Sequence, residues 1–219
     1  TPLDRLNDQG FIETPPPELV EVMGRALAYS SMTDGAFDVT VAPLLELYAS
    51  HFEAGNRPPA DREIERILES VDYRRVRVDR DAIVLEGSEM KVTLDGIAKG
   101  YIVDQTVRTL VGDGAERVLI DAGGDMASGG HGSLESPWTV GVRDPADAQG
   151  MLAQLRLGGE CIATSGDYMQ AFTQDRRFHH IIDPRTGYSP DRASAVTVVT
   201  TSAMDADALS TAVMVLGPV

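Results

Sequence analysis

The chain has 219 residues, 42% hydrophobic and 24% charged, a globular mixture able to bury most of its apolar surface without a disulfide or structural metal. With 34 acidic against 19 basic residues the net charge is −15, which repels nucleic-acid phosphates, and no Lys/Arg run offsets it. Cys161 is the single cysteine, so an intrachain disulfide is excluded, and no apolar run approaches the roughly 18 residues of a membrane helix.

Residues 14–33 predict an amphipathic helix. Thr14 and three prolines open it, Leu19, Val22, Met23, Ala26, Leu27 and Ser30 follow at helical spacing, and Gly35 lies just past its end. Residues 39–48 continue as a buried helix, 54–60 form a polar loop with prolines, and Asp61 caps a short helix carrying Ile64, Ile67, Leu68 and Val71. Residues 76–78 and 83–85, split by Asp79-Arg80-Asp81, predict a hairpin; 90–94 read as another strand and 97–112 as a helix. A strand at 118–120 enters the glycine-rich Asp121-Ala122-Gly123-Gly124-Asp125. Further strands fall at 138–142, 152–157, 160–164, 178–182 and 194–200, and a last helix covers 203–216 with Ser202 as N-cap and Asp205 completing a capping-box variant. Strands outnumber helices and come in hairpin-like series, which predicts an α+β fold rather than a parallel doubly wound sheet.

An acidic chain that handles an anionic small molecule needs a local remedy: a metal ion, backbone N–H groups or a helix N-terminus. Asp207 and Thr211 are four apart, so they share a helix face, and their carboxylate and hydroxyl are hard oxygen ligands suited to magnesium rather than zinc. The plainer alternative is a solvated Asp and a Thr bonded to its own helix backbone. Lys99-Gly100-Tyr101 is not a phosphate-binding P-loop, whose order is Gly-Lys-Ser/Thr; it reads either as a strand-to-helix turn facing an anion or as glycines placed for close packing. Gly123-Gly124 permits close approach to a pyrophosphate but lacks the spacing of a dinucleotide fingerprint, so a tight turn serves equally. His179 and His180 open an apolar strand and point to opposite faces; either is a candidate general base or a structural histidine. No Gly-x-Ser-x-Gly elbow surrounds Ser165, and the His pair lacks zinc-site partners.

Taken in order, Gly35-Ala36-Phe37-Asp38, Gly96-Ile97-Ala98-Lys99-Gly100-Tyr101, Thr164-Ser165-Gly166-Asp167-Tyr168 and the run from His180 through Ile182-Asp183-Pro184 to Thr186-Gly187 resemble the ApbE family, the FAD:protein FMN transferases. The likeness runs from about Leu6 to Gly217. It implies one ApbE-like domain over 1–219, a two-lobed, T-fold-like α+β body with mixed and antiparallel sheets flanked by helices and the flavin in the cleft between the lobes. By resemblance, Asp207 and Thr211 match the magnesium pair and the Ala98 carbonyl a backbone ligand. Ala36, Phe37 and Asp38 match a flavin-contacting stretch, Lys99, Thr164, Ser165 and Gly166 line the FAD site, and His180, ahead of His179, matches the catalytic histidine.

The reaction so implied is magnesium-dependent transfer of FMN from FAD to a Thr or Ser hydroxyl of an acceptor redox protein, with release of AMP. An FAD pyrophosphatase and a non-catalytic FAD carrier are the competing readings. Many members carry Asp-Leu-Gly-Gly where this chain has Thr93-Leu94-Asp95-Gly96, so Asp95 either adds a ligand or displaces a phosphate. The chain is also expected to lack the family's first strands and last tens of residues. The resemblance further implies a periplasmic or cell-envelope setting, with any membrane association through a lipid anchor outside this chain.

Overall fold

The computed structural model describes residues 1–55, 57–147 and 149–218. The chain divides into two compact units. The first takes Thr1–Leu94, Gln170–Arg192 and the residues from Val215 onward; the second takes Asp95–Met169 and Ala193–Met214. The α+β expectation holds: helices accompany sheets whose paired strands are antiparallel.

In the first unit, Thr1 caps helix α1 (Pro2–Gln9) by accepting the Asp4 N–H. Strand β1 (Phe11–Glu13) leads to α2 (Pro17–Met32), which begins on proline and buries Leu19, Val22, Met23 and Ala26, the apolar stripe read from the sequence. A 3-10 turn, Val39–Val41, precedes α3 (Ala42–Gly55); α4 (Asp61–Leu68), β2 (Val76–Val78) and β3 (Ala82–Leu85) follow. The expected 54–60 loop therefore begins later than predicted, and Asn56 within it lies outside the described residues. The predicted hairpin forms, and β1 adds to its free edge to give the order β1-β3-β2. Leu44, Tyr48, Ile64 and Ile182 make a core against which Phe52, Phe172 and Phe178 pack; Phe52 and Phe172 stack with centroids 5.3 Å apart.

Three predictions for this unit need correction. Ala60, not Asp61, is the N-cap of α4, and its N–H is satisfied by the Glu63 carboxylate at 2.8 Å. Residues 90–94 are not a strand, because their backbone groups go elsewhere. The Asn7 side-chain amide both donates to the Val92 carbonyl and accepts the Val92 N–H, and the Thr93 N–H goes to the Val39 carbonyl. Residues 178–182 form no strand either. A single bridge joins Ala171 and His179, and the His180 N–H donates to the Gln170 carbonyl.

In the second unit, α5 (Ala98–Gly112) is followed by β4 (Val118–Asp121) and β5 (Met126–Gly129). Their connection closes through Gly123 and Gly124, at φ 70° and 105°. Two successive positive φ values make the hairpin turn that glycine accommodates without steric cost, so the tight-turn reading of this pair is the one realised. Then come α6 (His131–Glu135), β6 (Trp138–Arg143), β7 (Met151–Leu157), β8 (Cys161–Gly166), β9 (Ala195–Thr200) and α7 (Ala203–Leu216). The sheet order is β4-β5-β8-β9, with β6 and β7 as a separate hairpin. Val103, Ala127, Cys161 and Ala203 pack together, as do Val140, Leu157 and Ile162.

Helix α7 is buried nearly all round: Ala203, Ala206, Ala208, Ala212 and Met214 are each 0% exposed. Alanines serve helix propensity and let neighbouring backbone approach. The closest approach is at Gly100, where an added Cβ would stand 2.2 Å from the Ala203 carbonyl oxygen and 2.7 Å from the Met204 Cα. Gly100→Ala is therefore expected to lower stability by roughly 1–3 kcal/mol, the usual effect of overpacking against backbone. Gly24→Ala, inside α2 with nothing within 4 Å of the new methyl, should instead gain up to about 1 kcal/mol. Denaturant melts of the two variants check this. Equal effects would remove the steric argument for Gly100.

Candidate active site

The second unit gathers Lys99, Ser165, Asp207 and Thr211 around the first turn of α5 and the facing side of α7. The Gly100 N–H donates to Asp207 Oδ2 at 3.0 Å, so Ala98, Lys99 and Gly100 sit in a first turn that faces α7. Lys99 Nζ lies 3.2 Å from Asp125 Oδ1. Ser165, on β8, lies 2.8 Å from the Ser210 hydroxyl and 3.2 Å from that of Thr211. The Thr211 hydroxyl also donates to the Asp207 carbonyl at 3.2 Å, so the plainer reading of Thr211 is realised in part. The plainer reading of Asp207 is not: it is 6% exposed and not solvated.

Asp125 and Asp207 are two buried carboxylates in one place. Burial, then the neighbouring Asp125 carboxylate, push Asp207 up to about 7. Burial also raises Asp125, opposed first by the Lys99 cation. Asp125 is 1% exposed, and its buried Oδ2 meets no N–H or hydroxyl donor among the described residues; while Asp207 keeps its proton, that carboxyl hydrogen-bonds Asp125, and the pair is left bare when the proton goes. Such a pair is costly unless something cationic meets it.

A measurable consequence follows for the metal-free protein. A carboxyl whose folded pKa stands above its unfolded value holds a proton that the unfolded chain has lost. Stability then falls as pH rises from the ordinary carboxylate range to about 7, and is level above that. The melting temperature at about pH 5.5 should exceed that at about pH 8, and Asp207→Asn should flatten part of that slope. Superimposable profiles for the two proteins would contradict the buried-pair description.

Not every predicted residue joins this cluster. Thr164 and Ser165 are successive strand residues and turn to opposite faces; the Thr164 hydroxyl bonds Thr197 across the ladder at 2.9 Å. A Cβ at Gly166 would strike the Tyr168 ring, so that glycine makes room for an aromatic. Asp95 is exposed.

The first unit carries the rest. Asp38 caps the Val39–Val41 turn: Oδ1 accepts the Thr40 N–H at 2.8 Å and hydroxyl at 2.6 Å, and Oδ2 accepts the Tyr73 N–H at 3.0 Å. Burial raises its pKa against those bonds. Ala36 is buried, and so is Phe37, whose ring meets Tyr29 edge-on at 6.5 Å.

The two histidines differ even though no strand alternation separates them. His179 is 1% exposed, with Nε2 against the Pro190 carbonyl at 3.1 Å. His180 is half-exposed, with Nδ1 3.2 Å from the Gln170 carbonyl. A carbonyl only accepts, so this contact puts the proton on Nδ1 and the lone pair on Nε2.

Sequence reasoning passed over Asp125 and Asp104 as site residues. Asp125 stood inside the glycine-rich segment, where attention went to the glycines; the available signal was a carboxylate placed just after a tight turn. Asp104 accepts from the Ser202 hydroxyl at 2.8 Å, the Ala203 N–H at 2.8 Å and the Met204 N–H at 3.1 Å. Its signal was its place four residues after Gly100, on the same helix face.

Among the described residues no group of three or more His, Cys, Asp or Glu is arranged to hold a metal, so a zinc-type centre is not offered. A hard divalent cation asks for something different: few carboxylates, hydroxyls, backbone carbonyls and substrate oxygens. Asp207, Thr211 and the buried Asp125 carboxylate fit that request. No helix among the described residues is long and apolar enough to cross a membrane.

The chain is 35% identical over 197 residues to the FAD:protein FMN transferase of Klebsiella pneumoniae, covering 88% of this chain and 60% of that protein. It is 34% identical over 206 residues to the FAD:protein FMN transferase of Vibrio cholerae, covering 91% and 61%. The chain thus spans about 60% of the length of these curated relatives. The crystal structure of the ApbE protein from Thermotoga maritima matches with a TM-score of 0.87 at 34% identity, over 98% of this chain and 71% of that one. The apo flavinyl transferase ApbE of Pseudomonas stutzeri matches with a TM-score of 0.83 at 29% identity, over 99% and 68%. The ApbE family model matches residues 1–219, and with these relatives it establishes that the chain belongs to the ApbE family.

Proposed function

We propose that this chain transfers FMN from FAD to a protein, the activity its relatives' names carry, and that the accepting group is a Thr or Ser hydroxyl of a redox protein and the leaving group AMP. The observation that carries the proposal is the buried Asp125–Asp207 pair beside Lys99 and the first turn of α5. There a strongly acidic protein concentrates ligands for a cation, and a cation is what would bring an anionic pyrophosphate to it. Asp207, Thr211 and the Ala98 carbonyl would hold magnesium, with Asp125 Oδ2 beside them. Bound there, the ion would supply charge neutralisation on the phosphates and on the departing AMP.

The chain's own residues do the rest. Lys99 pairs with Asp125 and offers its ammonium to a phosphate oxygen. The Ser165–Ser210–Thr211 hydroxyls hold one another in register, which orients the Thr211 oxygen. His180 Nε2 accepts the proton of the acceptor hydroxyl as that oxygen bonds to the FMN phosphorus. The bond from that phosphorus to the AMP oxygen breaks, and AMP leaves with the electron pair. The Ala36–Asp38 stretch, fixed by the Asp38 carboxylate, contacts the flavin. A cell-envelope setting is proposed on the same resemblance, and fractionation of the source cells would test it.

AMP release distinguishes the competing readings. A transferase releases AMP in proportion to acceptor. A pyrophosphatase releases it equally without acceptor, and a carrier releases none.

A further inference from the structure

The amide accounting at the start of α7 singles out Asp104. A helix leaves its first N–H groups without intrahelical partners. In α7 these belong to Ala203, Met204 and Asp205. The Ser202 hydroxyl accepts the Asp205 N–H at 3.3 Å, and the Ala206 N–H already bonds the Ser202 carbonyl. The other two go to Asp104, which projects from the second turn of α5. Cys161 backs the same carboxylate, with Sγ 3.8 Å from Oδ1, and burial and Asp104 keep that thiol protonated.

The exchange runs both ways. On α5, Gly100 and Asp104 are one turn apart; on α7, Ala203 and Asp207 are one turn apart. The α5 amide of Gly100 bonds the α7 carboxylate of Asp207, while the α7 amides of Ala203 and Met204 bond the α5 carboxylate of Asp104. These two crossed links fix both the slide and the rotation of one helix against the other, and the missing side chain of Gly100 lets them close. Each carboxylate also sits at the positive end of its partner helix.

We infer that Asp104 is a positioning residue that sets Asp207 against the first turn of α5, so that removing its charge loosens the cation site without removing a ligand. The consequence for magnesium rests on the transferase reading; the placement of Asp207 does not.

Asp104→Asn in the intact chain tests this. Asn keeps the shape, but its Nδ2 accepts neither the Met204 N–H nor the Ser202 hydroxyl. Amide hydrogen exchange at Gly100, followed by NMR without metal or substrate, should quicken at least roughly tenfold. The magnesium concentration for half-maximal FAD turnover should rise roughly 10- to 100-fold, the usual effect of losing an outer-shell partner, with kcat at saturating magnesium within about threefold of the parent. A lower melting temperature with unchanged Gly100 exchange and unchanged magnesium half-saturation would overturn the proposal and leave Asp104 a simple helix cap. Should Asp104→Asn fail to fold, Ser202→Ala deletes one donor to the same carboxylate and must shift both readings in the same directions, or the proposal falls. If the parent protein turns over FAD without magnesium, the metal reading fails, while faster Gly100 exchange in the variant still supports Asp104 as the positioning residue.

Discussion

Asp207→Asn is expected to reduce magnesium-dependent FMN transfer by roughly 3–4 kcal/mol of transition-state stabilisation, about 10²- to 10³-fold in rate. The protein should remain folded. Asn still accepts the Gly100 N–H through its carbonyl oxygen, so the 3.0 Å link between α5 and α7 survives. The substitution also removes one of two buried carboxylates that destabilise each other in the metal-free protein, so stability at about pH 8 should hold or rise. The conjunction separates a ligand from a structural residue: activity falls while the melting temperature does not. Normal transfer with a normal magnesium response would refute the assignment. Binding of FAD measured without magnesium should change little, because the lost charge is the one proposed to face the cation.

His180→Asn should lower transfer by roughly 10²–10⁴-fold, the usual range for deleting a positioned general base. FAD affinity should stay near its parent value, since in the proposed reaction the imidazole acts on the incoming hydroxyl. His179→Asn is a contrasting case. That side chain is buried with Nε2 on the Pro190 carbonyl, so its replacement should act first on stability. The Gln170 carbonyl is what makes His180 suitable, because it places the proton on Nδ1 and the lone pair on Nε2. Near-normal transfer by a folded His180→Asn protein would move the proton acceptor elsewhere. Loss of transfer by a His179→Asn protein of undiminished stability would move the role one residue back.

What the sequence revealed of these features depended on how local their cause was. Helix α7 was legible to its ends, because the Ser202 cap and the alanine-rich interior are local signals. The β2–β3 hairpin was legible for the same reason, short apolar β-branched runs split by turn residues; β8 and β9 were legible as strands, but their pairing across some thirty residues was not. Strand β1 was not, since its three residues acquire strand character only by pairing with β3 some seventy residues away. The 90–94 segment misled because its alternating apolar residues are buried as a strand's would be, while its hydrogen bonds go to the Asn7 side chain and to Val39. The site shows the same division. Asp207 and Thr211 stood out by i, i+4 spacing on one helix, and the family resemblance is what singled them out as a magnesium pair. Asp104 and Asp125 act across elements, one as a cap on another helix and one beside Lys99 from the end of a hairpin turn, and no spacing within a single element encodes that.

Covalent flavinylation of an acceptor domain, measured by intact-protein and peptide mass spectrometry, tests the central claim most directly. Incubated with FAD, magnesium and this protein, the acceptor should gain one FMN on a single Thr or Ser, matched by an equal amount of AMP, with no adduct when magnesium is chelated. AMP appearing at the same rate without acceptor, or FAD remaining intact with the acceptor unmodified, would contradict it.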